Sequence, residues 1–146
     1  MHIGIIGLGL IGGSIAKAIK KVHVQNSYII GYDTNTSDLH MAYNEGMIDF
    51  MATDLKKGFS NCTVVFVCTP VTTIKEVVSE LLPYLPNDCI LTDVGSTKYN
   101  VMQELEPMIA ANNKRVYYVG GHPMTGSEKF GYSASHDHLF ENAYYM

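Results

Sequence analysis

The amino-acid sequence predicts an α/β protein with a doubly wound, mostly parallel sheet and helices on both faces. Short apolar runs rich in β-branched residues alternate with stretches of helical spacing, a pattern that is typical of parallel βαβ units. The first run, residues 3–6, is continuously apolar, as expected for a strand buried on both faces. The chain has 146 residues, 47% hydrophobic and 16% charged, so we expect one folded domain over residues 1–146.

Strands are predicted at the apolar runs and helices at the periodic stretches between them. The predicted strands are residues 3–6, 28–32, 50–53, 63–67, 89–93 and 116–119, with another beginning at residue 143. Helices are expected after the first strand, from about residue 35 to 46, over residues 74–85 and over residues 98–111. A short helix is also expected at residues 54–59, and Pro107 is expected to kink or split the last helix.

Composition narrows the classes of partner. The net charge is −4 and the basic residues are scattered, so no nucleic-acid partner is expected. No apolar run approaches the ~18 residues of a membrane span, so no membrane partner is expected. Cys62, Cys68 and Cys89 lack Cys-x-x-Cys spacing, which favours reduced thiols in a cytoplasmic protein. His136 and His138 have no third ligand signature, so no metal site is predicted.

A glycine-rich turn follows the first predicted strand. Gly7, Gly9 and Gly12 form G-x-G-x-x-G between an apolar strand and an amphipathic helix, which is the context that dinucleotide binding requires. Gly7 would permit the tight turn, Gly9 the approach of a pyrophosphate, and Gly12 the packing of helix on strand. Free N–H groups at the helix start, near Leu10 and Ile11, would face the phosphates. The motif predicts a Rossmann-type fold; a purely structural glycine turn is the alternative.

A carboxylate ends the second predicted strand. Asp33 lies about 20 residues after Gly12, where such a group accepts hydrogen bonds from the adenosine ribose hydroxyls. It would repel a 2′-phosphate, and no arginine follows in residues 34–36. The sequence therefore predicts NAD rather than NADP. The alternative is an aspartate that only caps the following turn.

Three later loops should open on the same sheet edge as the glycine turn. Thr69 and Pro70 follow one predicted strand, Ser96 follows the next, and His122 follows the one after that. Ligands of open α/β sheets bind at this edge, so we expect these side chains to converge near the nicotinamide.

Together these motifs resemble the prephenate/arogenate dehydrogenase family of tyrosine biosynthesis. The resemblance rests on GLGLIGGS from residue 7, the aspartate that ends the second strand, CTPV from residue 68, DVGSTK from residue 93 and GGHPMTGSEKFGY from residue 120. It extends over essentially the whole chain, and GSTK and HPMTGSEK are its specific part. It implies oxidative decarboxylation of prephenate to 4-hydroxyphenylpyruvate, with hydride transfer from ring carbon 4 to NAD⁺.

The resemblance also implies roles for residues of the later loops. His122 would accept the proton of the substrate C4 hydroxyl, a role that imidazole suits near neutral pH. Ser96 would orient the histidine and the substrate hydroxyl. Thr125, Ser127 and Glu128 would line the substrate side, with Glu128 as a gate or a side-chain contact. The alternatives are a structural, hydrogen-bonded His122 and a Ser96 that caps the helix after it.

The resemblance finally implies a helical C-terminal domain, which supplies an arginine for the substrate carboxylates and forms a homodimer. The only arginine, Arg115, precedes a predicted strand at the opposite edge of the sheet. We therefore expect this chain to be the NAD-binding part of a two-domain enzyme, with weak or no turnover by itself. Arogenate remains open as the substrate. Another two-domain dehydrogenase, of the β-hydroxyacid or 6-phosphogluconate type, and an NAD-sensing module remain open as functions.

Overall fold

A computed structural model describes residues 1–22, 26–125 and 128–144 of the chain. Six parallel strands form one sheet in the order β3-β2-β1-β4-β5-β6. The strands are β1 (His2–Ile6), β2 (Tyr28–Tyr32), β3 (Phe50–Met51), β4 (Val64–Val67), β5 (Cys89–Asp93) and β6 (Val116–Gly120). The helices of the described residues are α1 (Leu10–Lys21), α2 (Thr36–Asn44), α3 (Ile74–Leu81) and α4 (Lys98–Ala110). The predicted Rossmann-type architecture is confirmed.

Each face of the sheet carries its own hydrophobic cluster. Helices α1 and α2 pack on one face, over Ile3 and Ile5 of β1 and Ile29 of β2. Helices α3 and α4 pack on the other face, over Val65 of β4 and Leu91 of β5. The central strands are therefore covered on both sides, which explains their continuously apolar sequences.

The parallel pairing brings the carboxyl ends of all six strands to one edge of the sheet. From β1 the chain moves outward through β2 to β3, and then returns to β4 on the other side of β1. Because every pairing is parallel, the carboxyl ends of the strands lie together. The reversal between β1 and β4 is the switch point at which open α/β sheets form a ligand crevice.

The helix predicted at residues 54–59 is wrong. This segment forms turns, in which the Asp54 carboxylate accepts hydrogen bonds from the N–H groups of Lys56 and Lys57, both at 2.9 Å. Gly58 then passes close to Ala52, where a Cβ at position 58 would lie 2.5 Å from the Ala52 Cβ. An aspartate at the start of a turn gives the same sequence signal as a helix N-cap. Here the chain forms successive turns and no helix follows.

Two other expectations differ from the structure. The sequence predicts a kink or a split at Pro107; helix α4 runs through this residue without a break, so the split does not occur and the kink stays a prediction. Pro107 is exposed, and water can therefore replace the one backbone hydrogen bond that its missing N–H removes. Residues 143 and 144 are not in a strand, although the Met124 N–H donates to the Tyr144 carbonyl at 2.8 Å. Residues 145 and 146 lie outside the described residues.

No helix in the described part of the chain is long and apolar enough to cross a membrane.

All three cysteines are free thiols. Cys62 and Cys89 are buried, and Cys68 is half-buried. Burial raises the pKa of Cys62 to about 12 and that of Cys89 to about 11, and it also raises the pKa of Cys68. A buried thiol stays protonated because the apolar surroundings disfavour the thiolate. These cysteines are therefore packing residues of the native fold.

The raised pKa values predict slow alkylation. Because only the thiolate reacts, Cys62 and Cys89 of the folded chain at pH 8 should react with iodoacetamide at least about 100-fold more slowly than in the unfolded chain, and Cys62 more slowly than Cys89. The rate should rise about 10-fold per pH unit above pH 8 and level off only near the raised pKa values. Mass spectrometry of samples labelled with and without guanidinium measures the ratio. Fast labelling of either cysteine in the folded chain at pH 8 would contradict the buried thiol state.

Candidate functional site

A cavity of about 940 Å³ opens at the carboxyl edge of the sheet. It collects the residues that follow β1, β2, β4 and β5, together with one side of α3 and residues 129–131. Its volume lies within the range of small-molecule and cofactor sites. The cavity therefore lies where the strand order predicts a ligand site.

The predicted site residues divide into two groups. The cavity is lined by most of the predicted cofactor residues and by one predicted catalytic residue: Gly7, Gly9, Leu10, Ile11, Asp33, Thr69, Pro70 and Ser96. Four others are not among its lining residues: Gly12, His122, Thr125 and Glu128. Ser127 lies outside the described residues.

The three glycines of the turn have different surroundings. Gly7 has φ +90°, and a Cβ there would lie 2.8 Å from the Cys68 carbonyl group. A Cβ at Gly12 would overlap the carbonyl oxygen of Gly7, so the first turn of α1 packs directly behind the end of β1. A Cβ at Gly9 would meet no atom within 4 Å among the described residues beyond its chain neighbours. The fold itself thus requires Gly7 and Gly12, whereas the bare position at Gly9 faces open cavity.

The amino end of α1 points its free N–H groups at the cavity. The N-cap residue is Gly9, which has no side chain to accept them, and the first turn contains no acidic residue. Leu10 and Ile11, the first residues of the helix, line the cavity. A helix start without a capping side chain is a favourable position for an anionic group, because the dipole and the free N–H groups act together.

Asp33 ties the glycine turn to the start of α2. Its Oδ2 accepts the Leu8 N–H at 2.5 Å, and its Oδ1 accepts the Asn35 N–H at 2.7 Å. The turn-capping alternative is therefore correct as far as it goes, but Asp33 also lines the cavity. Each carboxylate oxygen keeps a further lone pair, with which it can accept a hydroxyl of a ligand.

The charges around the cavity are mostly negative. Four carboxylates line it, those of Asp33, Asp38, Glu76 and Glu80, and Lys129 is the one cationic residue in the described lining. No arginine lines this part of the cavity in the described chain. Asp33 and Asp38 both belong to the segment after β2, where an added phosphate would meet two negative charges.

Two buried polar atoms at this edge lack a hydrogen-bond partner within the described residues. They are the Thr69 Oγ1, at the end of β4, and the Nδ1 of His122, in the loop after β6. Such atoms are rare in folded proteins, because leaving a buried polar group unsatisfied costs about 1–3 kcal/mol. They therefore mark positions where a bound molecule or a rearranged loop can supply the partner.

The buried carboxylate of Asp93 stabilises the turn that carries Ser96. Asp93 is 1% exposed; its Oδ2 accepts the Gly95 N–H at 2.8 Å, and its Oδ1 accepts the Tyr118 hydroxyl at 2.6 Å. Ser96 itself is exposed at the cavity. The N-cap of α4 is Thr97, so the alternative interpretation of Ser96 as the helix cap is wrong.

Sequence reasoning missed the wall formed by residues 129–131. Lys129, Phe130 and Gly131 line the cavity, and the Phe130 side chain is 90% exposed there. The available signal was Gly131, whose φ of +81° places it in the left-handed region, directly after an aromatic residue in a polar loop. A glycine of this kind marks a chain reversal, which here turns residues 129–131 toward α2.

The chain matches a family model over residues 15–146, described as prephenate dehydrogenase, nucleotide-binding domain. It is 40% identical to a prephenate dehydrogenase of Bacillus subtilis, over 96% of this chain and 37% of that enzyme. The chain therefore spans less than half the length of this curated relative.

Solved structures agree with the family match. A Synechocystis arogenate dehydrogenase superposes with a TM-score of 0.87 at 30% identity, covering 99% of this chain and 49% of that one. A prephenate dehydrogenase from A. aeolicus, in complex with hydroxyphenyl propionate and NAD⁺, superposes with the same TM-score at 33% identity, covering 98% of this chain and 48% of that one. The family model and the curated relative together show that the chain belongs to the prephenate dehydrogenase family.

Proposed function

We propose that the chain is the dinucleotide-binding domain of an NAD-dependent prephenate dehydrogenase. The observation that carries the proposal is the open position at Gly9, directly in front of the uncapped start of α1. The fold alone gives no reason for a glycine there, whereas a pyrophosphate approaching the backbone does.

NAD⁺ fits the residues present and supplies the hydride acceptor of the reaction. The N–H groups of Leu10 and Ile11 would hold the pyrophosphate, and the free lone pairs of Asp33 would accept the ribose hydroxyls. Thr69 and Pro70 would form the side of the site at the end of β4. Asp33 and Asp38 support NAD over NADP, because a 2′-phosphate would lie against two carboxylates.

His122 and Ser96 are the proposed catalytic residues. In the reaction the C4 hydrogen leaves with its electron pair, and the C4 hydroxyl proton passes to the His122 imidazole as the C4–O bond becomes a carbonyl. The bond from the ring to its carboxylate then breaks, its electrons enter the ring, and the C4 carbonyl electrons move onto the oxygen. CO₂ leaves, the ring becomes aromatic, and the resulting phenolate takes a proton back from the His122 imidazolium. Two observations support this assignment: the buried Nδ1 of His122 has no hydrogen-bond partner within the described part of the chain, and β5 and β6 are neighbouring strands. Thr125, Ser127 and Glu128 remain the proposed substrate contacts.

A helical C-terminal domain would complete the site. Arg115 cannot serve the substrate carboxylates, since its guanidinium pairs with Asp88 at the amino edge of the sheet. On the α1 face, Ile90, Tyr117 and Val119 of β5 and β6 are 44%, 50% and 55% exposed. Isolated apolar side chains are common on surfaces, but a continuous row on a sheet face favours a covering element.

We therefore propose that the following domain covers this row, supplies the missing cation and forms a homodimer. The enzyme is proposed to work in the cytoplasm, where its three free thiols stay reduced. Arogenate is the second candidate substrate, favoured by the equally close superposition on the Synechocystis arogenate dehydrogenase.

Two glycine substitutions test the dinucleotide site. Gly9→Ala should leave the melting temperature within about 2 °C, because its Cβ enters open space. It should lower NAD⁺ affinity at least about 10-fold, since the same Cβ would displace the pyrophosphate. Gly12→Ala is the contrasting variant: its Cβ overlaps the Gly7 carbonyl, so stability should fall by about 2 kcal/mol or more. Thermal unfolding and calorimetric titration measure both effects; a folded Gly9→Ala protein with normal NAD⁺ affinity would refute the site.

The catalytic assignment is tested by His122→Asn in the full-length enzyme. Loss of the base should lower kcat about 100-fold or more, while the dissociation constant for NAD⁺ stays within about 2-fold, because His122 does not line the cavity. Unchanged kcat would exclude His122 as the base.

The need for a second domain is tested with the 146-residue chain alone. This chain should reduce NAD⁺ with prephenate weakly or not at all; turnover at the full-length rate would contradict the need for a second domain.

A further inference from the structure

Tyr132 anchors the loop that begins at His122. Tyr132 begins a 3₁₀ turn, Tyr132–Ala134, which packs against α1 and α2. Tyr132 is fully buried, whereas residues 128–130 just before it are exposed. It is thus the first firmly packed residue after the cavity wall formed by residues 129–131.

The anchor consists of hydrogen bonds to both ends of α2. The Tyr132 N–H donates to the Asp38 Oδ2 at 3.2 Å, in the first turn of the helix. The Tyr132 hydroxyl donates to the Glu45 Oε2 at 2.7 Å, at the C-cap. Two bonds separated by the length of a helix fix both the position and the direction of the residue.

Helix α1 also contacts Tyr132, through Lys17. The Lys17 ammonium lies 4.5 Å from the centre of the Tyr132 ring and 3.5 Å from the Glu45 Oε2. The same Nζ donates to the Ser135 carbonyl at 3.1 Å. Gly13 makes this packing possible, because a Cβ there would lie 2.8 Å from both Tyr132 and Ser135. The 3₁₀ turn is therefore locked to the helix that presents the glycine turn.

These contacts of Tyr132 with α1 and α2 also fix the position of the cavity wall, residues 129–131. Gly131 precedes Tyr132 in the left-handed region, and a Cβ there would lie 3.7 Å from the Asp38 Oδ2. The wall therefore stands beside the start of α2, next to the segment that contains Asp33. It also carries Lys129, the one cation of the described lining, toward a site whose ligand bears phosphate charge.

We propose that Tyr132 is a positioning residue for the dinucleotide: its hydroxyl bond to Glu45 holds the 129–131 wall in place, so NAD⁺ affinity depends on a group that does not line the cavity. The inference rests on the proposed NAD site. It links the substrate loop and the nucleotide site through one buried side chain.

Tyr132→Phe removes only the hydroxyl and keeps the ring under Lys17. NAD⁺ affinity of the variant should fall about 5-fold, because loss of a hydrogen bond to a charged acceptor loosens the wall. Glu45→Ala should give the same loss from the other partner, whereas Glu45→Gln retains an acceptor oxygen and should restore most of the affinity. Tyr43→Phe, which removes an exposed hydroxyl from the same helix, is the matched control and should bind normally.

A double-mutant cycle separates positioning from general destabilisation. Lys129→Gln should weaken NAD⁺ binding in the wild-type background, and clearly less in the Tyr132→Phe background, because the wall is already displaced. Equal losses in both backgrounds, or normal affinity of both Tyr132→Phe and Glu45→Ala, would overturn the inference. If Tyr132→Phe does not fold, Glu45→Ala carries the same test. Failure of the wild-type chain to bind NAD⁺ would instead refute the proposed function.

Discussion

The close packing of Gly12 against the Gly7 carbonyl is the constraint on which the site depends. Since no side chain fits at position 12, α1 starts directly behind β1 and its uncapped amino end faces the crevice. The bond from the Leu8 N–H to Asp33 then holds the turn against the end of β2. Of the three glycines of the turn, Gly9 alone faces open space among the described residues, and we propose that a pyrophosphate approaches the backbone there.

The sheet, and the residues after β1 and β2 that line the cavity, could be predicted from the sequence because their signals are local. A buried parallel strand is apolar throughout, and its end is punctuated by glycine or by a polar residue, as at Gly7 and Asp33. Where local signals were ambiguous, the prediction failed: Asp54 starts a turn with the same capping bonds that start a helix. Likewise, Pro107 does not break α4, because its side of the helix is exposed to water.

The far wall of the cavity could not be predicted, because it depends on contacts distant in sequence. Tyr132 bonds to Asp38 and Glu45, which lie 94 and 87 residues away, and nothing near Tyr132 in the sequence indicates these partners. The same holds for the bond between Tyr118 and Asp93 that supports the Ser96 turn. Membership in the prephenate dehydrogenase family, in contrast, favours the predicted chemistry over the β-hydroxyacid and 6-phosphogluconate alternatives.

The fold builds the proposed nucleotide site, and another domain would complete the substrate site. The central claim is that this site binds NAD and that Asp33, beside the start of α1, sets the preference over NADP. Calorimetric titration of the wild-type chain with NAD⁺ and with NADP⁺ tests the claim most directly. The account predicts one NAD⁺ per chain and NADP⁺ binding weaker by about 10-fold or more, because the 2′-phosphate would meet carboxylates and no arginine. Equal affinity for the two dinucleotides, or no binding of NAD⁺, would contradict it.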